Sequence, residues 1–442
     1  MRKKIEQLKA ELYTILSPEQ IAALLDADSA MARKEVEEVL RRLATAGVTR
    51  AASRTERERL VTLTVSEVLG LGVIDALLAD PSVTEVMVNG AEKIFFEREG
   101  KTILSPDSYA SEEQLRMAID RIISPLGRRI DEQNPMVNGR LAAGHRINAV
   151  IPPISLSGSL LTIRKFSETT LSLEQLVESG SVDQAVAIML SWAVSSAQNI
   201  AVSGGTGSGK TTLLNALSLE IPSDERIITI EDSAELKFAT HPHVLRLEAR
   251  PPNLEGKGEI SLRDLVINSL RMRPDRIVVG EVRGAEALEM LQAMNTGHDG
   301  SLTTLHANTP YEVITRLITM VGYGTEQSQH QVEAQIAAAL DLIVHVQRCS
   351  DGVRRIVEVV ELGRIGDGDE GQSSHPSHTS QSKAGEIVLR TLYRFEQTGM
   401  SDEGRIEGKH SFYALPRFVD SLVSRNLASD EEVKEWQELF HA

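Results

Sequence analysis

The period of the apolar positions changes as one moves along the chain. Ile5, Leu8, Leu12 and Leu16 recur at spacings of three and four, which draws one apolar stripe along a helix. Ser17-Pro18-Glu19-Gln20 then reads as an N-cap, a proline at the first helical position and a capping-box glutamine, so a second helix follows. Ser29 caps a further stretch through Val36, Val39, Leu40 and Leu43 to Gly47, with arginines near its end where the helix dipole favours cations. Residues 1–60 are therefore expected to form a helical N-terminal region that docks elsewhere, with a partner-binding tail as the alternative.

From 61 to 170 the pattern turns to α plus β. Val83 to Val88 alternates at period two, Asn89-Gly90 is a hairpin signal, and Ile94-Phe95-Phe96 returns as the partner strand. Ser111 caps a helix carrying Leu115, Ala118, Ile119, Ile122 and Ile123, and two further strands are expected near 147–151 and 160–163. From 171 to 362, short apolar runs alternate with helical ones, the mark of a parallel sheet with crossover helices. The expected strands are 199–203, 226–230, 244–247, 276–279, 301–305 and 341–346. Residues 363–385 hold almost no core formers and read as a flexible linker, in which His375 and His378 are solvated spacers. A C-terminal segment, 386–442, closes the chain with a strand from Ile387 and helices after Pro416.

Composition narrows the classes without choosing one. With 41% hydrophobic and 25% charged residues, the 442-residue chain is ordinary globular protein. A net charge of −16 argues against a protein built to coat nucleic acid, although a local basic channel is compatible with it. The single cysteine, Cys349, cannot pair within the chain, so nothing requires an oxidising compartment. No apolar run reaches the length of a membrane span, and no signal-peptide core follows the basic start. The expected location is cytoplasmic, with any membrane work done through partners.

The chemistry concentrates in Gly204-Gly205-Thr206-Gly207-Ser208-Gly209-Lys210-Thr211, a complete phosphate-loop pattern between an expected strand and an expected helix that continues through Thr212. Glycines let backbone N–H groups approach phosphate oxygens, and the helix N-terminus adds its positive end. Lys210 supplies a point charge for the β and γ phosphates, and the Thr211 hydroxyl is placed to ligate Mg²⁺. Arg276-Ile277-Val278-Val279-Gly280-Glu281 is expected on a neighbouring strand, with Glu281 as the base that takes a proton from the attacking water. Ile230-Glu231-Asp232, with Glu235, ends another strand, so Asp232 is a candidate Mg²⁺ ligand through water and Glu231 a candidate for a share in water activation. His298 and His306 bracket the strand 301–305, which places at most one of them near the γ-phosphate.

These residues resemble a known family. Arg128 to Glu132, Pro135-Met136-Val137, Gly139-Arg140-Leu141, Arg146-Ile147-Asn148, Ile163-Arg164-Lys165-Phe166, the phosphate loop, Thr229 to Asp232, Leu270 to Asp275, Gly280 to Arg283 and Gly297 to Asn308 follow, in order, the motifs of type II/IV secretion ATPases. The branch most similar is that of the CpaF or TadA-like ATPases of Tad (type IVc) pili. The four-cysteine zinc subdomain of some type II secretion ATPases is absent, because only Cys349 is present.

The resemblance implies an α/β architecture: a RecA-like P-loop domain preceded by a smaller α+β, PAS-like domain. It implies a homohexamer that binds ATP and Mg²⁺ between the two domains and works at the inner face of the cytoplasmic membrane on platform proteins of a pilus or secretion system; no nucleic-acid partner is expected, given the acidic charge and only 16 Phe, Tyr and Trp. Arg140, Arg146 and Arg164 are then expected to reach the nucleotide phosphates, His306 falls in the His box, and Arg271, Arg273 and Arg283 are candidates for interdomain or intersubunit contacts. The alternatives are a RecA-like motor stimulated by nucleic acid, and a nucleotide-gated binding module with little turnover. Small-molecule kinase activity fits least, since no substrate lid is evident.

Overall fold

The computed structural model describes residues 2–27, 29–48, 53–98, 100–141, 143–166, 170–238, 241–253, 256–364, 383–384, 387–401 and 404–441. Most of the expected linker therefore lies outside the described residues. The chain divides into two compact units, Met1–Glu168 and Thr169–Ala442.

The first unit opens with α1 (Arg2–Ile15), α2 (Pro18–Ala27), α3 (Ser29–Thr45), α4 (Arg54–Leu69) and the short α5 (Asp75–Ala79). The stripe of Ile5, Leu8 and Leu12 buries against Val36 and Leu40 of α3 and against Leu60, Val61 and Val65 of α4. That packing corrects the expected boundary at 60/61, which falls inside α4. Its apolar face completes the bundle, so the helix cannot be cut there.

The rest of this unit is an antiparallel sheet of six strands: β1 (Val83–Asn89), β2 (Lys93–Arg98), β3 (Lys101–Leu104), β4 (Met136–Arg140), β5 (Arg146–Val150) and β6 (Leu160–Arg164). Their order is β3-β2-β1-β6-β5-β4. Helix α6 (Glu112–Ile123) starts at Ser111, whose side chain accepts from the Gln114 N–H, and packs Leu115, Ile119 and Ile122 on Val86, Val88 and Ile163. Strands β3 and β4 had no clear sequence signal. All four residues of β3 are exposed, and β4 buries only Val137.

The second unit begins with α7 (Leu173–Glu178) and α8 (Gln184–Ser195), then alternates β7 (Ile200–Gly204), α9 (Lys210–Ser218), β8 (Ile227–Glu231), β9 (Val244–Glu248), α10 (Leu262–Ser269), β10 (Arg276–Val282), α11 (Glu286–Asn295), β11 (Leu302–Leu305), α12 (Pro310–Gly322), α13 (Gln329–Ala339) and β12 (Leu342–Arg348). Strands β12-β7-β11-β10-β8-β9 lie side by side and parallel, with one hydrophobic layer on each face. This is a RecA-like sheet. The order corrects one expectation: β10 does not adjoin the phosphate-loop strand, because β11 is inserted between them.

The sheet continues antiparallel through β13 (Arg354–Arg364), β14 (Lys383–Ala384), β15 (Ile387–Met400) and β16 (Ile406–Phe412), and α14 (Val419–Leu422) and α15 (Asp430–His441) follow. The expected separate segment 386–442 is thus built into the ATPase unit. Trp436 of α15 is 1% exposed, donates its indole N–H to the Ala185 carbonyl at 2.8 Å and meets Trp192 edge-on at 5.4 Å. Glu361 of β13 accepts from the Arg390 guanidinium and from the Arg417 backbone N–H.

At the other end of the strands, Asp341 accepts the Asn199 N–H at 2.7 Å, and the Asn199 side-chain oxygen accepts the Ser301 N–H at 2.9 Å. The starts of β7, β11 and β12 are held together in this way. Burial, reinforced by Asp299 and Glu361, pushes the Asp341 carboxyl up to about 6.

Two outcomes follow from this packing. Trp436→Ala should cost about 3 to 5 kcal/mol in chemical denaturation, because a large aromatic is removed and the Ala185 carbonyl loses its donor. Asp341→Asn keeps an acceptor for Asn199 without the buried charge. A raised carboxyl pKa stabilises the fold below the unfolded value of 3.8, and that contribution is lost as pH rises through about 6. The melting temperature of the variant should therefore gain on the wild type between pH 4 and pH 7, and stay level with it below that window.

Candidate functional site

Strand β7 delivers the chain into the phosphate loop under tight steric control. A side chain at Gly204 would overlap the Val346 carbonyl of β12, whereas positions 205 and 207 open onto free space. Gly207 and Gly209 hold φ of 69° and 100°, a region that disfavours any side chain, and Gly209 is the residue from which α9 starts. Among the described residues, the N–H groups of Thr206, Gly207 and Gly209 go to no acceptor, and the buried Ser208 hydroxyl has no partner. Backbone donors without acceptors beside open space fit an oxyanion chain such as a triphosphate. The Lys210 ammonium bends back to the Gly204 and Gly205 carbonyls at 3.0 and 2.9 Å; burial lowers its pKa and the Glu281 carboxylate opposes that shift. Thr211 is half-buried and Thr212 exposed at the start of α9.

The acids divide by environment. Glu281, near the carboxyl end of β10, is half-buried and paired with the Arg283 guanidinium, which also lies 3.7 Å from Asp232. Arg283 therefore links the two carboxylates within one unit, whereas the sequence suggested a contact between domains or subunits. Glu231 is 3% exposed and spends one oxygen on the Glu235 and Leu236 N–H groups at 2.7 and 2.8 Å. Burial raises its pKa, and Gly280 is the close neighbour that leaves it room. So placed, Glu231 holds the loop after β8 in shape with one oxygen, while the other is buried without a partner among the described residues. The Asp232 carboxylate beside it is exposed.

His306 follows β11 at the sheet's carboxyl end, beside the phosphate loop, while His298 precedes that strand at the far end and faces the Ala293 carbonyl at 3.3 Å. Arg271 and Arg273 occupy the turn before β10, at the amino end of the strands and away from Glu281.

In the first unit, Arg140 of β4 stands opposite Arg146 of β5, and Arg146 stands opposite Arg164 of β6. Three guanidinium side chains thus form one row across three strands. Like charges placed directly opposite one another repel, so this register concentrates positive charge along one line of the sheet. Arg140 is steadied by the Gly144 carbonyl at 3.1 Å and by the Phe166 ring.

With this geometry, a comparison of the sequence with known families matches the Type II/IV secretion system protein family over residues 67–398. The chain belongs to that family. A putative conjugal transfer protein of Mycobacterium tuberculosis is 39% identical over 303 residues, 67% of this chain and 86% of that protein. The type IV secretion system protein VirB11 of Bartonella quintana is 32% identical over 326 residues, 65% of this chain and 90% of its own length. Among solved structures, the VirB11 ATPase of Brucella suis in complex with sulphate is 30% identical, covers 65% of this chain and 95% of that one, and superposes with a TM-score of 0.36. Family membership and a phosphate loop of this build make the chain an ATPase of the type II/IV secretion class.

Two residues of this secretion ATPase escaped the sequence reading. His345 of β12 is buried, with Nδ1 at 2.9 Å from the Ser203 hydroxyl and a hydrogen bond to the Asn308 backbone. It ties the phosphate-loop strand to the loop that carries His306. Burial keeps its pKa low, so the ring is neutral near pH 7. Arg354 of β13 donates to the Gly207 carbonyl at 2.9 Å. Neither lies in a local motif, and only the pairing of β12 with β7 and β13 brings them to the loop. Gly204→Ala should lower nucleotide affinity at least tenfold and cost about 1 to 3 kcal/mol of stability, as overpacking does; isothermal titration with ADP and a melting curve measure both.

Proposed function

We propose that this ATPase is a hexameric motor that hydrolyses MgATP to power assembly of a Tad or other type IV-like pilus, or type II/IV secretion, across the inner membrane. The observation that carries the reading is the phosphate loop with Glu281 on the same carboxyl edge of the sheet, in a chain of the secretion family. The names of relatives, a conjugal transfer protein and VirB11 of a type IV secretion system, support transport across a membrane as the work performed. The order of motifs from Arg128 to Asn308 favours the Tad branch.

In this reading, Lys210 and the loop amides bind and orient the β and γ phosphates. The Thr211 hydroxyl and the Asp232 carboxylate would hold Mg²⁺, which would neutralise charge building on the phosphates. Glu281 takes the proton of the attacking water, and Arg283 sets where that carboxylate points. Arg140, Arg146 and Arg164 are offered as the counter-charges that close on the γ-phosphate and release after hydrolysis, a task suited to guanidinium groups that bind oxyanions bidentately. His306 stands where it can report the state of the γ-phosphate to α12. Among the described residues no single helix is long and apolar enough to cross a membrane. Docking on inner-membrane platform proteins from the cytoplasmic side completes the proposal.

Lys210→Ala should abolish both nucleotide binding and phosphate release. Glu281→Gln should bind ATP within a few-fold of wild type yet hydrolyse it about 10² to 10⁴ times more slowly, the range for loss of a general base. Full turnover by the Glu281 variant would remove it from the mechanism. Stimulation of steady-state phosphate release by single-stranded DNA would favour a nucleic-acid motor instead.

A further inference from the structure

The β12–β13 hairpin touches the phosphate loop with a cation that no part of the mechanism above uses. Arg354, in the first position of β13, donates from Nε to the Gly207 carbonyl at 2.9 Å. Its aliphatic stem lies along Gly209, close enough that a side chain there would stand 3.1 Å from Arg354 Cδ. The side chain is thus fixed to the loop at two places. The neighbouring Arg355 is neutralised by a two-pronged pair with Asp351 at 2.9 and 2.8 Å, and its guanidinium lies over the Phe395 ring. Arg354 has no carboxylate partner among the described residues, and across the hairpin it stands opposite another cation, Arg348. An exposed arginine with no carboxylate beside it, opposed by a like charge and held against a phosphate loop, is available to an anion that arrives.

We propose that Arg354 is a nucleotide-positioning residue, a second cation of the phosphate site alongside Lys210, which raises affinity for nucleoside di- and triphosphates. Two effects act together. Its charge adds to the potential over the loop, and its Nη donors are free to meet phosphate oxygens at the rim. In addition, Gly207 C=O and Ser208 N–H belong to one peptide group. A charge-assisted bond to that carbonyl polarises the peptide and strengthens the N–H on its inner side, which otherwise makes only a long contact of 3.4 Å to the Gly205 carbonyl. Because both effects act on phosphate charge, the benefit grows with the number of phosphates.

The inference rests on the ATPase reading, and the test separates the two. In the full chain, dissociation constants for AMP, ADP and ATP are measured by titration calorimetry at several salt concentrations, for wild type, Arg354→Ala, Arg354→Gln, Arg354→Lys and Lys210→Ala. Loss of one charge-assisted hydrogen bond should weaken ATP about tenfold in the Ala and Gln variants and ADP less, with less than about twofold for AMP. Their affinity should also fall less steeply with salt, and Lys should recover part of the loss. The melting temperature without nucleotide should stay with wild type, since the side chain is exposed. ATP affinity in Arg354→Ala within twofold of wild type at an unchanged salt slope, or an equal loss for all three nucleotides, overturns the role. Wild-type protein that fails to bind ATP, or Lys210→Ala protein that binds it unchanged, overturns the ATPase reading itself.

Discussion

Position 204 has no room for a side chain, and the arrangement of the second unit turns on that constraint. The last residue of β7 runs so close to the Val346 carbonyl that only glycine passes. One residue earlier, Ser203 is held by His345 from the same neighbouring strand. The phosphate loop therefore leaves the sheet from a point fixed on two sides, by β12 and by β11, and that point is set without a ligand to hold it there. Preorganisation of this kind lets binding energy go into the phosphates and not into folding the loop.

Around that fixed point the ionisable groups differ by how much water they see. Glu231 lies deep and serves the backbone of its own loop. Glu281 and Asp232 lie further out and share Arg283. Three carboxylates at two strand ends thus sit in two environments, one buried among backbone donors and one further out around a shared guanidinium. The same logic explains why Arg283 cannot be read as one more surface arginine: its pKa is raised by the Glu281 carboxylate before any other cause.

The sequence made much of this legible where the signal is local. The phosphate loop, the caps at Ser111 and Ser17, the alternation of Val83 to Val88 and the apolar parallel strands each carry their own signature within a few residues. What stayed hidden is non-local. Nothing around Arg140, Arg146 or Arg164 announces that antiparallel pairing would line them up, and nothing near His345 or Arg354 points to a loop some 140 residues earlier. The insertion of β11 between β7 and β10 is likewise a matter of strand order, which periodicity does not encode. The C-terminal segment was misjudged because a stretch poor in core formers stands before it, although Trp436 finds its place against Trp192 and Ala185.

The route of the chain through β15 has a further consequence. Strand β13 is eleven residues long and carries Ile356, Val359, Val360 and Leu362 as buried side chains. One edge is paired with β12 and the other is covered only because β15 comes back to it. Without that return strand, a long apolar edge with unpaired backbone groups would face solvent, a template for pairing with other chains. The C-terminal strands thus close this edge to strand pairing with other chains.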